Sequence, residues 1–384
     1  MPDTRTTGVY VTEVDLDNAA FSDPDLCRGL LHKLEQELDR PLRFMEVCGT
    51  HTVAIFRSGL RSLLPEGIEH LSGPGCPVCV THDREIAACM DLAAKDGVCI
   101  ATFGDLMRVP GPGGKTLKQA QAEGADVVVV YSPLDALDLA RQRPDQTIVF
   151  LGVGFETTAP TVAATIQMAR HEKRSNFAVL AFHKLVPPAL DALLTTSAAT
   201  EENTSSRGID AFLLPGHVST ILGMEPYRFM VDVHGKPGVI GGFDPADILQ
   251  SLLLMLDMRK KNKPAIVNQY SRAVSDTGNE YARAVLFDVF AVSDALWRGI
   301  GEIPASGLSM RAEYEAYDAW KRFAITLPDV PDIKGCACGD VLKGLRTPNQ
   351  CPLFGKACTP AAPVGPCMVS TEGSCAAYFK YALP

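Results

Sequence analysis

Two cysteines separated by a proline and a valine, in Gly73-Pro74-Gly75-Cys76-Pro77-Val78-Cys79, are close enough to bond each other or to share a metal. As a dithiol the pattern is sound, because proline fixes one φ angle and narrows the sulfur–sulfur geometries open to the turn. As half of a zinc site it needs two more soft ligands, and His82 and Cys89 follow at no familiar spacing. Two structural thiols are the third reading. Cys48, in "RFMEVCGTHTVAIF", is expected on a strand-to-helix turn, with a strand ending at Val47 and a helix starting near Thr52. Such turns line the crevice where α/β folds bind ligands. Helix amides and the imidazole of His51 would both favour a thiolate there. A buried cysteine acting as a small hydrophobe is the plainer alternative.

The last fifty residues hold six of the twelve cysteines, Cys336, Cys338, Cys351, Cys358, Cys367 and Cys375. Cys338, Cys351, Cys358 and Cys375 are spaced C-x12-C-x6-C-x16-C with no histidine among them. Structural zinc sites draw on close cysteine pairs, whereas wide all-cysteine spacing suits the corners of an iron–sulfur cube. Zinc and inert thiols remain open on spacing alone, and so does the participation of Cys336 or Cys367. The tail is rich in Pro and Gly and lacks apolar periodicity, so something other than burial is expected to fix its backbone.

Positioning these groups calls for a large globular framework. A chain of 384 residues with 46% hydrophobic and 21% charged residues can bury two or three cores. Its net charge of −9 argues against nucleic acid or an anionic membrane as main partner. No apolar run is long enough for a signal sequence or a membrane span, so a soluble, cytoplasmic protein is expected. Cysteines clustered in a reducing compartment point to metal or redox work rather than a disulfide framework.

Short apolar runs at 43–47, 98–103, 126–132, 147–153, 177–182 and 210–216 alternate with helix-like segments, the rhythm of buried parallel strands. A break near 140–146 predicts two α/β parallel-sheet domains, 41–143 and 144–243, forming a cleft. They follow an N-terminal helical segment (1–40) and precede a helical, Cys-rich iron–sulfur domain (244–384). "DPADILQSLLLMLDMRKK" reads as a helix with Asp244 as N-cap and Pro245 at its first position, and "NEYARAVLFDVFAV" as another. "ATFGDLMRVPG" with Asp105 and "GVGFETTAP" with Glu156 and Thr157 are predicted as equivalent loops of the two domains facing the cleft. Capping is the commoner use of such side chains. His217 in "LPGHVS" and His183 in "AFHK" are further cleft candidates. No nucleotide-binding glycine pattern is present in either loop.

Together, "MEVCGTHT", "GPGCPVCV", "TFGDLMRVPG", "YSPLDAL", "GFETTAPT", "PGHVS", "NQYSRAV", "WRGIG" and "CPLFGKAC…MVSTEGSCAAY" closely resemble the HypD family of [NiFe]-hydrogenase maturation factors. The resemblance implies two Rossmann-like domains, a third domain holding a [4Fe–4S] cluster, and a scaffold for the Fe(CN)2CO unit of the hydrogenase. It implies Cys48 as the iron-binding thiolate, His51 beside it, Cys76 and Cys79 as a redox pair, and Cys338, Cys351, Cys358 and Cys375 as cluster ligands. Cys336 and Cys367 occupy positions that other members fill without cysteine. The iron would be transient Fe(II) carrying CN and CO, held in a cleft walled by Asp105, Glu156, Thr157 and His217. Partners would be a HypC-type chaperone and a HypE-type cyanide donor. Val53 stands where many members have a second histidine, and His82 where proline commonly follows the paired cysteines. Rival readings are a stand-alone iron–sulfur disulfide reductase and a zinc-stabilised α/β binding module.

Overall fold

A computed structural model describes residues 21–203, 208–331 and 333–381. Of the expected N-terminal segment, residues 1–20 lie outside the described residues. The rest contributes the helix Pro24–Glu37, capped by Asp23. The strands are β1 (Leu42–Glu46), β2 (Ile68–Ser72), β3 (Val98–Thr102), β4 (Val127–Val129), β5 (Thr147–Gly152), β6 (Phe177–Ala181), β7 (Ala211–Pro215), β8 (Gly238–Gly241), β9 (Ile266–Asn268), β10 (Phe290–Trp297) and β11 (Gly301–Met310).

Two parallel sheets form, as the strand–helix alternation predicts, in orders β2-β1-β7-β8-β9 and β4-β3-β5-β6. Alternate residues of each strand face opposite sides. Phe44 joins the core under the helix Pro245–Lys260, while its neighbour Met45 joins a core shared with Ile100, Val149 and Leu180 of the other sheet. That shared core locks the two sheets together.

The boundary near 140–146 is wrong. β3 pairs with β5 across it, Val98 opposite Thr147, so residues 98–181 form one sheet. The other sheet takes β1 and β2 from the start of the chain and β7 to β9 from beyond residue 210. The third unit does not begin at 244 either. The helix Pro245–Lys260 packs on β8 and on Pro24–Glu37, and β9 completes that sheet. Asp244 is its N-cap and Pro245 its first residue, as expected. β2, β8 and β9 escape a hydrophobicity scan because they are short and contain Glu, His, Gly or Asn. "NEYARAVLFDVFAV" is helical only over Glu280–Val289 and then turns into β10, where Phe290 begins a strand paired with β11. β-branched and aromatic residues favour this switch.

Between the sheets Lys184 pairs with Glu85 at 2.6 Å, both buried, and Glu85 also accepts from the His82 backbone. No described helix is long and apolar enough to cross a membrane.

Candidate metal and redox site

In each sheet the strand order reverses direction at one place, between β1 and β7 and between β3 and β5. Ligands bind at such switch points, at the carboxyl ends of the strands. Cys48 and His217 follow β1 and β7; Asp105 and Glu156 follow β3 and β5. The last two therefore belong to adjacent strands of one sheet, a correction to their expected equivalence in two domains.

Cys48 is the extended N-cap of the helix Gly49–Arg57, which begins three residues earlier than expected. Its N–H donates to Glu46 Oε2 at 2.9 Å, and Glu46 Oε1 accepts from Thr52 at 2.5 Å with His70 Nε2 3.7 Å away. The amides of His51 and Thr50 point at the sulfur and lower its pKa. Burial outweighs them, and with the Glu372 and Glu46 carboxylates nearby the thiol is pushed up to about 12. The expected thiolate is therefore not the resting form, and an incoming metal must displace the proton. His51 does not help. Burial pushes it down to about 4, and its Nε2 faces the carbonyls of Gly242 (3.0 Å) and Gly241 (3.2 Å). The ring is neutral and held as an Nε2–H donor, with Nδ1 unpartnered among the described residues. Phe243 packs against both His51 (4.6 Å between centroids) and His217 (4.1 Å).

The paired cysteines lie directly beside this turn. Gly73 N–H donates to Glu46 O at 2.7 Å and Gly49 N–H to Gly75 O at 2.9 Å. Cys76 and Cys79 form a disulfide, both buried, with Cα atoms 5.2 Å apart. Cys79 N–H also points at Cys76 Sγ, 3.2 Å away, at the start of the short helix Pro77–Val80. His82 caps the next helix, its Nδ1 accepting from Arg84 N, so that departure serves as a helix start.

Asp105 accepts from Ser370 of the tail at 2.9 Å, and its neighbour Arg108 donates to Val369 O at 3.0 Å. Asp105 is thus a docking contact rather than an open cleft wall. Thr157 is exposed on its turn, and neither it nor Glu156 caps the helix Ala159–His171. Glu156 is 1% exposed, accepts from Val186 N at 2.8 Å through Oε1, and has Oε2 unpartnered among the described residues. Burial raises its pKa from 4.5 to about 7. A raised carboxyl pKa makes ionisation costly only in the folded state. That cost is absent below pH ~4.5 and complete above pH ~7, where it reaches ~3 kcal/mol. Glu156→Gln should therefore raise the melting temperature at pH 8 and leave it unchanged near pH 4. A difference independent of pH would refute this origin. Tyr227, fully buried, lies within electrostatic reach of both Glu156 and Cys48 and links the two switch points. His183 is buried with both nitrogens unpartnered among the described residues, and burial holds it down at about 3.

All six tail cysteines border one cavity, whose empty volume is about 350 Å³ including its open mouth. Cys338, Cys351, Cys358 and Cys375 are there as expected, and so are Cys336 and Cys367, with Cys338 and Cys367 sulfurs 3.0 Å apart. Val341, Leu353, Phe354 and Met368 complete the walls. This soft, water-poor, all-thiol donor set fits an iron–sulfur cluster. Among the described residues no three His, Cys, Asp or Glu are grouped as ligands of a single ion.

The tail then reaches back to Cys48. Thr50 donates to Glu372 Oε1 at 2.8 Å, and a Cβ at Gly49 would stand 2.6 Å from Glu372 Cβ. Helix Ser374–Tyr381 packs on Gly49–Arg57 through Tyr378 and Phe56, 4.7 Å apart. The turn Pro366–Met368 packs on Pro77–Val80. Glu46, His70, Tyr227, Glu372 and Arg298 escaped the sequence reading. Glu46 and Glu372 sit inside quoted motifs beside Cys48 and Cys375, a signal that was available; His70 and Tyr227 carried none.

Comparison with known proteins follows the same residues. The HypD family, described as "Hydrogenase formation hypA family", matches residues 25–382. The hydrogenase maturation factor HypD of Rhodobacter capsulatus is 45% identical over 373 residues, covering 94% of this chain and 97% of that protein. HypD of Escherichia coli K12 is 45% identical over 349 residues, covering 91% of each. HypD of Rhizobium leguminosarum bv. viciae is 42% identical over 364 residues, covering 94% of each.

Proposed function

Because the chain belongs to the HypD family and is a hydrogenase maturation factor, we propose that it assembles the Fe(CN)2CO unit on Cys48. Iron enters as substrate. Fe(II) displaces the Cys48 proton to solvent as it binds the sulfur, and a chaperone of the HypC type donates a second thiolate; soft sulfur suits an iron that also carries cyanide and CO. Cyanide arrives on a HypE-type partner as a thiocyanate, R–S–C≡N. Its release consumes two electrons: the Cys76/Cys79 dithiol closes to a disulfide, the S–CN bond breaks, and the two thiol protons pass to the partner's sulfur and to cyanide. A [4Fe–4S] cluster bound by the tail cysteines would supply single electrons to reopen the disulfide. His51, neutral and held by two carbonyls, orients the Cys48 turn rather than delivering protons.

The observation that carries this reading is the contiguity of Gly75 with Gly49, of Pro366–Met368 with Pro77–Val80, and of Glu372 with Thr50. A stand-alone disulfide reductase fits less well, because it gives no task to the Gly49–Gly75 contact that holds the Cys48 turn against the dithiol. The test is infrared spectroscopy of the protein purified anaerobically with its chaperone. Cyanide and CO stretching bands are expected; an iron-loaded, maturation-competent complex without them would overturn the proposal.

A further inference from the structure

Arg298 is a buried cation to which the reading above gives no task. It opens the turn between β10 and β11 and is 6% exposed. Its backbone N–H donates to Val80 O at 2.9 Å, at the end of the helix that carries Cys79. Its Nε donates to Thr81 O at 3.2 Å, and its Nη2 pairs with Asp83. Trp297 bridges to Thr81 from the same turn. The next residue, Gly299, lies against Gly339: a Cβ at Gly339 would stand 2.8 Å from Gly299 Cα and 2.9 Å from its carbonyl oxygen. Gly339 directly follows Cys338. One turn thus touches the C-terminal end of the dithiol segment on one side and the wall of the six-cysteine cavity on the other.

We infer that Arg298 is a positioning residue that joins the dithiol segment to the cysteine cavity and sets a positive charge one residue from the Gly299–Gly339 contact, raising the reduction potential of the cluster that the cavity would hold. The inference rests on the cluster reading above. A cation out of water acts through a low dielectric and favours the more negative, reduced state of a neighbouring centre. Asp83, paired with the guanidinium, opposes it.

The test compares wild type, Arg298→Met, Arg298→Lys and Asp83→Asn as full-length protein prepared anaerobically. It measures iron and acid-labile sulfide together with the midpoint potential of the cluster in a spectroscopic redox titration. Arg298→Met should lower the potential, Asp83→Asn should raise it, and Arg298→Lys should stay close to wild type, all with wild-type iron and sulfide. A purely structural role would shift the two oppositely charged positions in the same direction. Potentials unmoved, or moved alike, at wild-type cluster content overturn the inference alone. If Arg298→Met fails to hold a cluster, Asp83→Asn must still raise the potential, and its failure to do so overturns the inference. Wild-type protein devoid of iron and sulfide overturns the cluster reading and this inference with it.

Discussion

Cys48→Ala should lose every cyanide and CO infrared band while keeping the iron and sulfide of the tail cavity and a near-native melting temperature. The sulfur is the one atom removed. The turn itself is held by Cys48 N–H on Glu46 and by Gly49 N–H on Gly75 O, and alanine keeps both bonds. Removing a small buried side chain here costs on the order of 1 kcal/mol. Iron capture, on the proposed reading, depends on the Cys48 sulfur, and alanine offers no ligand in its place. The expected effect is therefore all-or-none in the infrared and small in stability. Purified Cys48→Ala protein that still carried the bands would remove Cys48 from the mechanism.

Gly75→Ala should be severely damaging for the addition of a single methyl. A Cβ there would overlap the backbone nitrogen of Cys48 and the carbonyl carbon of Val47, and no flexible side chain is available to yield. The strand end and the Gly73–Gly75 turn must separate, breaking the Gly49 N–H bond to Gly75 O. Overpacking of this kind costs ~1–3 kcal/mol in well-packed cores, and rigid backbone on both sides puts this site at or above the top of that range. We expect a melting temperature several degrees lower and loss of iron capture, because Cys48 and the dithiol move apart. Gly29→Ala is the control: it lies in the helix Pro24–Glu37 with nothing within 4 Å of its new methyl, and should stabilise by ~0.5–1 kcal/mol. A Gly75→Ala protein that melted with wild type and retained iron would show that the close approach of the two turns has no functional weight.

The candidate site was legible in residue types but not in their states. Cys48 at the end of a strand, with glycine after it, is legible as a strand-to-helix turn, and the structure has one there. Its protonation does not, because the Glu46 and Glu372 carboxylates and the degree of burial come from contacts that spacing cannot express. His51 follows the same pattern: its neutral state is imposed by burial beside the carbonyls of a loop 190 residues away. Asp105 reads as a ligand-facing carboxylate and turns out to hold Ser370, since the tail that covers it is encoded at the other end of the chain.

The sequence by itself determined six of the parallel strands, β1 and β3 to β7, and where Asp244 and Pro245 start a helix. Those signals act over a few residues, through periodicity, capping and proline geometry. The tertiary structure alone decided which strands share a sheet, drawing β1 to β7 and β3 to β5. It also brought all six tail cysteines to one cavity and set the charge of each buried group. A parallel crossover can span any length of chain, and the cost of burying a charge depends on everything packed around it. Neither quantity is local.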